Sequence, residues 1–141
     1  MKKIFLTTIL LTLAAPAAAA DSKAVYGMWL TESGSAQIEI KDCGDGTPCG
    51  TVVHLTDPAS AGKLDVNNPD PKLAAEPIVG SKMLWGFKAK SNKWSGGRIY
   101  DAESGKDYKS KIKRLNDGTL EVKGCIGPIC QKQIWSAAPA N

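Results

Sequence analysis

The stretch from Asp107 to Trp135, DYKSKIKRLNDGTLEVKGCIGPICQKQIW, decides the fold class. Tyr108, Ser110 and Ile112 alternate with Lys109, Lys111 and Lys113. One face of that segment is therefore core-like and the other solvated, the signature of a strand. Asn116-Asp117-Gly118 is a strong hairpin turn, and Thr119 to Gly124 resumes the extended pattern. Gly127-Pro128 suits a second turn, either type II′ with glycine at its first central position or one built on a cis proline. Ile129 to Trp135 completes a three-stranded antiparallel unit. The lysines, with Lys106, read as a solvated strand face rather than a phosphate-binding stripe.

Working outward, the same signals recur. Lys93 to Tyr100 precedes the unit as another strand. Val25 to Thr31 opens the set, and Gly34-Ser35 turns it into Ala36 to Lys41, where Ala36, Ile38 and Ile40 alternate with Gln37, Glu39 and Lys41. Gly50 to Leu55 follows. Ile78 to Phe87 reads as strand or short helix, and Gly80 and Gly86 favour a strand or bulge. Between Cys49 and Gly80 the chain makes a long polar excursion with four prolines, allowing at most one helical turn at Leu73 to Ala75. A loop this long in a small domain is usually functional or disordered. About eight short strands in sequential hairpins, with no long helix, predict an all-β, up-and-down antiparallel barrel, since closure removes exposed edges.

The first twenty residues stand apart. Lys2 and Lys3 precede an apolar run from Ile4 to Ala15, and Ala18-Ala19-Ala20 offers a small-residue cleavage site, so residues 1–20 read as a secretory signal. The run is too short to span a bilayer, and no cysteine stands at the cleavage point to carry a lipid anchor. Residues 21–136 form one domain, and residues 137–141 read as a frayed tail. The leader takes two lysines with it, and the small positive balance that remains predicts neither nucleic-acid nor membrane-surface binding. Four cysteines in an exported chain imply disulfides. Cys43 with Cys49 and Cys125 with Cys130 each flank a turn, where facing strand residues lie at disulfide distance. Zinc knuckles prefer closer spacing.

These features in combination resemble a family of small secreted bacterial proteins known mainly as a conserved domain of unknown function. The residues that carry the likeness run in order: Gly27-Met28-Trp29, Cys49-Gly50, Asp65-x-Asn67-Asn68-Pro69-Asp70, Gly80 through Gly86-Phe87, Trp94 and Gly97-x-Ile99-Tyr100. Gly105-x-x-Tyr108, Leu120-x-Val122-x-Gly124 and Trp135 follow. The resemblance spans nearly the whole exported chain and implies a lipocalin-like (calycin-type) barrel without an activity. Ala102 stands where such sequences often carry proline. Ser136-Ala137 stands where they carry Thr-Arg, which removes the arginine that in lipocalins packs over the tryptophan of the early Gly-x-Trp.

Candidate chemistry is sparse. His54 is the single histidine, and catalysis needs a whole constellation rather than one imidazole, so no catalytic residue, enzyme activity or cofactor is expected. Asp65, Asn67, Asn68 and Asp70 crowd four oxygen-bearing side chains into six positions. Calcium uses such ligands on flexible loops, but Asx turns before prolines account for the same residues. Trp29, Trp85, Trp94 and Trp135 fall on separate strands. With Tyr108 and Ser110 they either line a pocket for a small apolar or amphipathic ligand or fill a narrow barrel. The expected function is ligand binding in the periplasm or outside the cell. The alternative is an inhibitor that binds an envelope-directed hydrolase such as lysozyme: Ser95-Gly96-Gly97-Arg98-Ile99-Tyr100 resembles the Ser-Gly-x-x-Tyr segment of small periplasmic lysozyme inhibitors, with one residue too many before Tyr100.

Overall fold

Alternating apolar residues face inward along nine short strands in a computed structural model that describes residues 21–139. The leader read from residues 1–20 lies outside the described residues, as do Ala140 and Asn141. The strands are β1 (Gly27–Leu30), β2 (Ala36–Asp42), β3 (Pro48–Leu55), β4 (Lys82–Trp85), β5 (Lys88–Lys90), β6 (Lys93–Asp101), β7 (Lys106–Arg114), β8 (Leu120–Ile126) and β9 (Ile129–Ala137). The described helical structure is a 3-10 turn at Pro58–Ser60 and one turn of α-helix, α1, at Pro71–Ala74.

All pairings are antiparallel. Successive strands are neighbours, and β1 pairs with β9 while β4 pairs with β6. The sheet is thereby a closed barrel. Strands β4 and β5 are two halves of one stave, because both hold the same register against β6: Leu84 opposite Ile99, Trp85 opposite Arg98, Ala89 opposite Trp94. Gly86 breaks the stave with φ of 74°, which an L side chain resists. Phe87 then turns inward over Gly97, where any β-carbon would strike its ring. Nine strands thus make eight staves. Strand β9 runs through Ala137, and the Ala138 amide donates to Met28 O at 2.9 Å. The sheet therefore extends past the expected start of the tail.

The core is aromatic at its centre. Trp29, Trp135, Phe87, Ile38, Ile40, Leu84, Ile112, Leu120 and Val122 are all fully buried, with Trp94 nearly so. Each such large side chain contributes about 1.5–3 kcal/mol on leaving water.

One end of the barrel is shut by the segment before β1. Trp29 Nε1 donates to Val25 O at 2.8 Å and Trp94 Nε1 to Lys23 O at 3.0 Å. The Arg114 amide donates to Ser22 O at 2.8 Å. Its guanidinium lies 5.3 Å from the Trp29 ring centre, and Nη1 reaches Ala24 O at 3.3 Å. An arginine does cover the early tryptophan, contrary to the expectation from Ser136-Ala137. It comes from the end of β7, where the register delivers a cation to the same ring face.

Both disulfides are the local ones. Cys43 joins Cys49 across the β2–β3 turn, and Cys125 joins Cys130 across the β8–β9 turn, with Cα separations of 5.1 and 4.0 Å. No free cysteine remains among the described residues.

Candidate functional site

The other end of the barrel carries the β1–β2, β6–β7 and β8–β9 turns and the long connection from β3 to β4. Its inner face can be read in rows from the strand registers. Ile99 stands opposite Tyr108, and Ile126 opposite Ile129. One level deeper, Gly97 pairs with Ser110, Ser110 with Gly124, and Gly124 with Gln131. Below that lie Ile112 with Val122, and Val122 with Gln133. At the deepest level Ile112 and Val122 are closed core, but the upper levels are not. Tyr108, Ile99 and Gly124 are half-buried, and Gln131 and Gln133 are exposed although they share the face of β9 that buries Trp135. Strand β9 explains this opening. It pairs with β8 from Ile129 to Trp135 but with β1 only near its end, at Ser136 and Ala137, so the β1-facing edge of its first half is unpaired.

Ser110 lies on the floor of this opening. Its hydroxyl is buried, with the residue 1 % exposed, and has no hydrogen-bond partner among the described residues. Gly97 on β6 and Gly124 on β8 flank it, with the Phe87 ring lying over Gly97 and Ile99 over Gly124. Leaving such a group unpaired costs about 1–3 kcal/mol, and buried hydroxyls rarely go without a partner. Gln133 Oε1 accepts from Trp135 Nε1 at 2.8 Å, so the amide next to the opening is fixed on the tryptophan beneath it.

The long connection screens the opposite half of this end. Lys63 to Asp65 doubles back against Glu76 to Ile78, with Leu64 bridged to Pro77, and Leu55 and Ile78 pack on the core. Asp65 is the pin. It is buried and accepts from Tyr100 Oη at 2.7 Å and from Asn68 Nδ2 at 2.8 Å. Burial, and then the Asp65 carboxylate, push the Tyr100 phenol up to about 12. Asn67 Nδ2 donates to the carbonyls of Ala102 and Glu103 at 3.2 and 2.9 Å. Asp70 caps α1 by accepting from the Lys72 amide. The four oxygen-bearing side chains named as a candidate calcium loop are thus each engaged in fixing the loop. No three His, Cys, Asp or Glu side chains gather as a metal site among the described residues.

Of the six residues expected to line a ligand pocket, the fold brings Tyr108 and Ser110 together, with Trp135 below them. Trp29 and Trp94 belong to the shut end. Trp85 is half-buried on the outward register beside Arg98. The residues missed in the sequence are Ile99, Gly124, Gln131 and Gln133. Only Gly124 left a signal, as a lone glycine in a strand. The segment compared with lysozyme inhibitors is the interior of β6, between β5, β4 and β7. Its Tyr100 is held by Asp65 and its Arg98 is ion-paired to Asp107. His54 is exposed near the end of β3, and among the described residues no side chain hydrogen-bonds to its imidazole.

Two depressions on the described surface bear on the open end and on β1 and β2. One, about 400 Å³, borders the opening and is lined by Tyr108 and Ile126 with Arg98, Lys106 and Lys109 as its cations. The other, about 540 Å³, lies over β1 and β2 around Tyr26 and Met28. Its charged groups satisfy each other, Lys41 pairing with Glu39 at 3.0 Å. Of these two, the first borders the open end, and its Arg98 is paired with Asp107.

With this geometry in view, comparisons place the chain. Residues 27–137 match the family described as "Uncharacterized protein conserved in bacteria (DUF2147)". The chain belongs to DUF2147. Among solved structures, the DUF2147 barrel is similar to protein HP1028 from the human pathogen Helicobacter pylori, described as belonging to the lipocalin family. The two are 21 % identical with a TM-score of 0.73, over 84 % of this chain and 85 % of that one. At that identity the likeness is one of fold. No curated protein matches this DUF2147 chain.

Proposed function

We propose that the protein is a periplasmic or secreted, non-catalytic binder of a small amphipathic ligand with an acidic head. The ligand enters at the open end, beside the unpaired edge of the first half of β9. The unpartnered, buried Ser110 hydroxyl, on the inner register below the half-buried Ile99 and Tyr108, carries this reading, because buried hydroxyls rarely go without a partner. Ile99 and Tyr108 supply the apolar wall, and Lys106 and Lys109 at the rim suit an anionic head. The lipocalin-like fold supports small-ligand binding in general, and two disulfides fit an oxidising compartment. The lone exposed histidine and the absence of a free thiol among the described residues support a binding role over a catalytic one.

The test separates a ligand contact from a packing residue. Laurate should displace 1-anilinonaphthalene-8-sulfonate from the protein saturably. Ser110→Ala should weaken laurate binding by roughly tenfold or somewhat less, the worth of one hydrogen bond. The same substitution should raise stability by about 1 kcal/mol, since it removes a buried unsatisfied hydroxyl. A destabilised Ser110→Ala that binds laurate as the parent does would make the hydroxyl structural and remove the reading.

A further inference from the structure

Exposed apolar side chains are not scattered over this barrel. Of the large hydrophobic residues left exposed, all but Tyr26 lie on two connections at the open end. Leu64, Val66, Leu73 and Val79 belong to the long loop. Ile126 and Ile129, 71 % and 73 % exposed, face each other at the β8–β9 turn. The Cys125–Cys130 disulfide staples that hairpin directly behind the two isoleucines, so the tip keeps one shape.

Behind the tip lies a row of cations. Lys111 stands opposite Lys123, and Lys123 opposite Lys132, on three adjacent strands. Like charges directly opposite one another destabilise a sheet. Glu121 offsets Lys123 at 3.2 Å. Lys111 and Lys132 have no carboxylate within ion-pair distance among the described residues. Lys106 and Lys109 flank the same hairpin in the depression beside it. Strand rise sets the lysine row about 10 Å behind the isoleucines. That matches the depth, about 5–10 Å, to which interfacial elements bury their apolar faces in a bilayer.

We propose that the open end docks on an anionic lipid surface. Ile126 and Ile129 enter the boundary between headgroups and acyl chains, and the row Lys111, Lys123 and Lys132 meets the lipid phosphates. Charge and shape favour lipid over a protein partner. A projecting tip of two aliphatic residues backed by lysines is unlike the core of a protein interface, which is enriched in aromatics and arginine and depleted of lysine. The carboxylates of this end lie on the long loop and around the β1–β2 and β6–β7 turns, with Asp107 ion-paired to Arg98, and not on the β8–β9 hairpin tip, so the small net charge of the chain conceals the arrangement. The expectation of no membrane-surface affinity rested on that whole-chain balance. This inference stands apart from the ligand reading, since it needs no occupant inside the open end.

Co-sedimentation with phosphatidylglycerol–phosphatidylcholine vesicles and with pure phosphatidylcholine vesicles tests it. The protein should bind the anionic vesicles and release as salt rises. Ile126→Ser with Ile129→Ser, and separately Lys111→Gln with Lys132→Gln, should each weaken binding by about tenfold or more. Thermal melts of the variants should not fall below the parent, and the lysine pair should be as stable or slightly more so. Laurate binding measured without vesicles should survive the lysine pair, so loss of docking and loss of the ligand site are distinct results. Equal affinity for both vesicle types, no affinity for either, or full binding by the isoleucine pair would overturn the proposal. Capture of an envelope protein through the tip by a chain that ignores vesicles would do the same.

Discussion

At the residue scale, the hydroxyls of Tyr100 and Ser110 show how one fold treats the same functional group in two ways. Tyr100 is satisfied by Asp65, and burial with that carboxylate lifts its phenol to about 12. A raised pKa means that folding favours the neutral phenol. Its contribution is complete below about pH 10, where an unfolded tyrosine titrates, and is lost as pH climbs through 12. Ultraviolet titration should therefore show a phenolate step near pH 12 that disappears in Tyr100→Phe. That variant should also lose about 1.5–3 kcal/mol at neutral pH, the worth of a hydrogen bond to a charged group. A titration unchanged by Tyr100→Phe would mean that the phenol and carboxylate are not joined in solution. Ser110 is the converse, a buried hydroxyl with no such partner. Its environment was only half legible beforehand. Alternation with the lysines put Ser110 inside, but what surrounds it depends on Gly97 and Gly124, and pairing of distant strands is what brings those glycines to its sides.

At the element scale, the long loop is held by its fit against the β6–β7 turn. Gly105 in that turn has φ of 67°, and a β-carbon there would fall on the Asn67 carbonyl. Gly118 has φ of 86° but opens into space, with only an Arg114 side-chain nitrogen at 3.9 Å. Both alanine variants meet the left-handed backbone cost of about 1–2 kcal/mol. Gly105→Ala alone must also push the loop away. Urea melts should show it to be the costlier by about 1 kcal/mol or more, and limited proteolysis should cut it between Asp57 and Gly80. Equal costs and an uncut loop would show that the loop is not seated on the turn. Strands were the most legible elements, since β2, β7, β8 and β9 announce themselves by alternation and by Asn-Asp-Gly and Gly-Pro turns. Strand β5 was not, because Lys88-Ala89-Lys90 is exposed throughout and owes its strand to its partner β6. The loop was legible as a loop, and its anchoring through Asp65 to Tyr100 was not.

At the scale of the whole molecule, the barrel is polar in organisation, with a shut end and an open one. Trp29, Trp94, Arg114 and the segment from Ser22 to Val25 interlock at the first. Tyr108, Ser110 and the first half of β9 stand at the second. Four tryptophans in a sequence invite one aromatic pocket, and three of them instead form the packed centre of the fold. Aromatic composition could not distinguish core from site, because both need large apolar area. What separates them is exposure on the inner register, which only closure of the sheet determines. The central claim is that a ligand enters at Tyr108 and Ser110 and leaves the tryptophans of the shut end alone. Each of the four tryptophan indole N–H groups gives its own resonance in a nitrogen-15 correlation spectrum, so a laurate titration reads both ends at once. The account predicts saturable shifts at the amides of Tyr108, Ser110, Gly124 and Gln131 and at the Trp135 indole, with the Trp29 and Trp94 indoles unmoved. Shifts concentrated on the Trp29 and Trp94 indoles, with the open end silent, would contradict it.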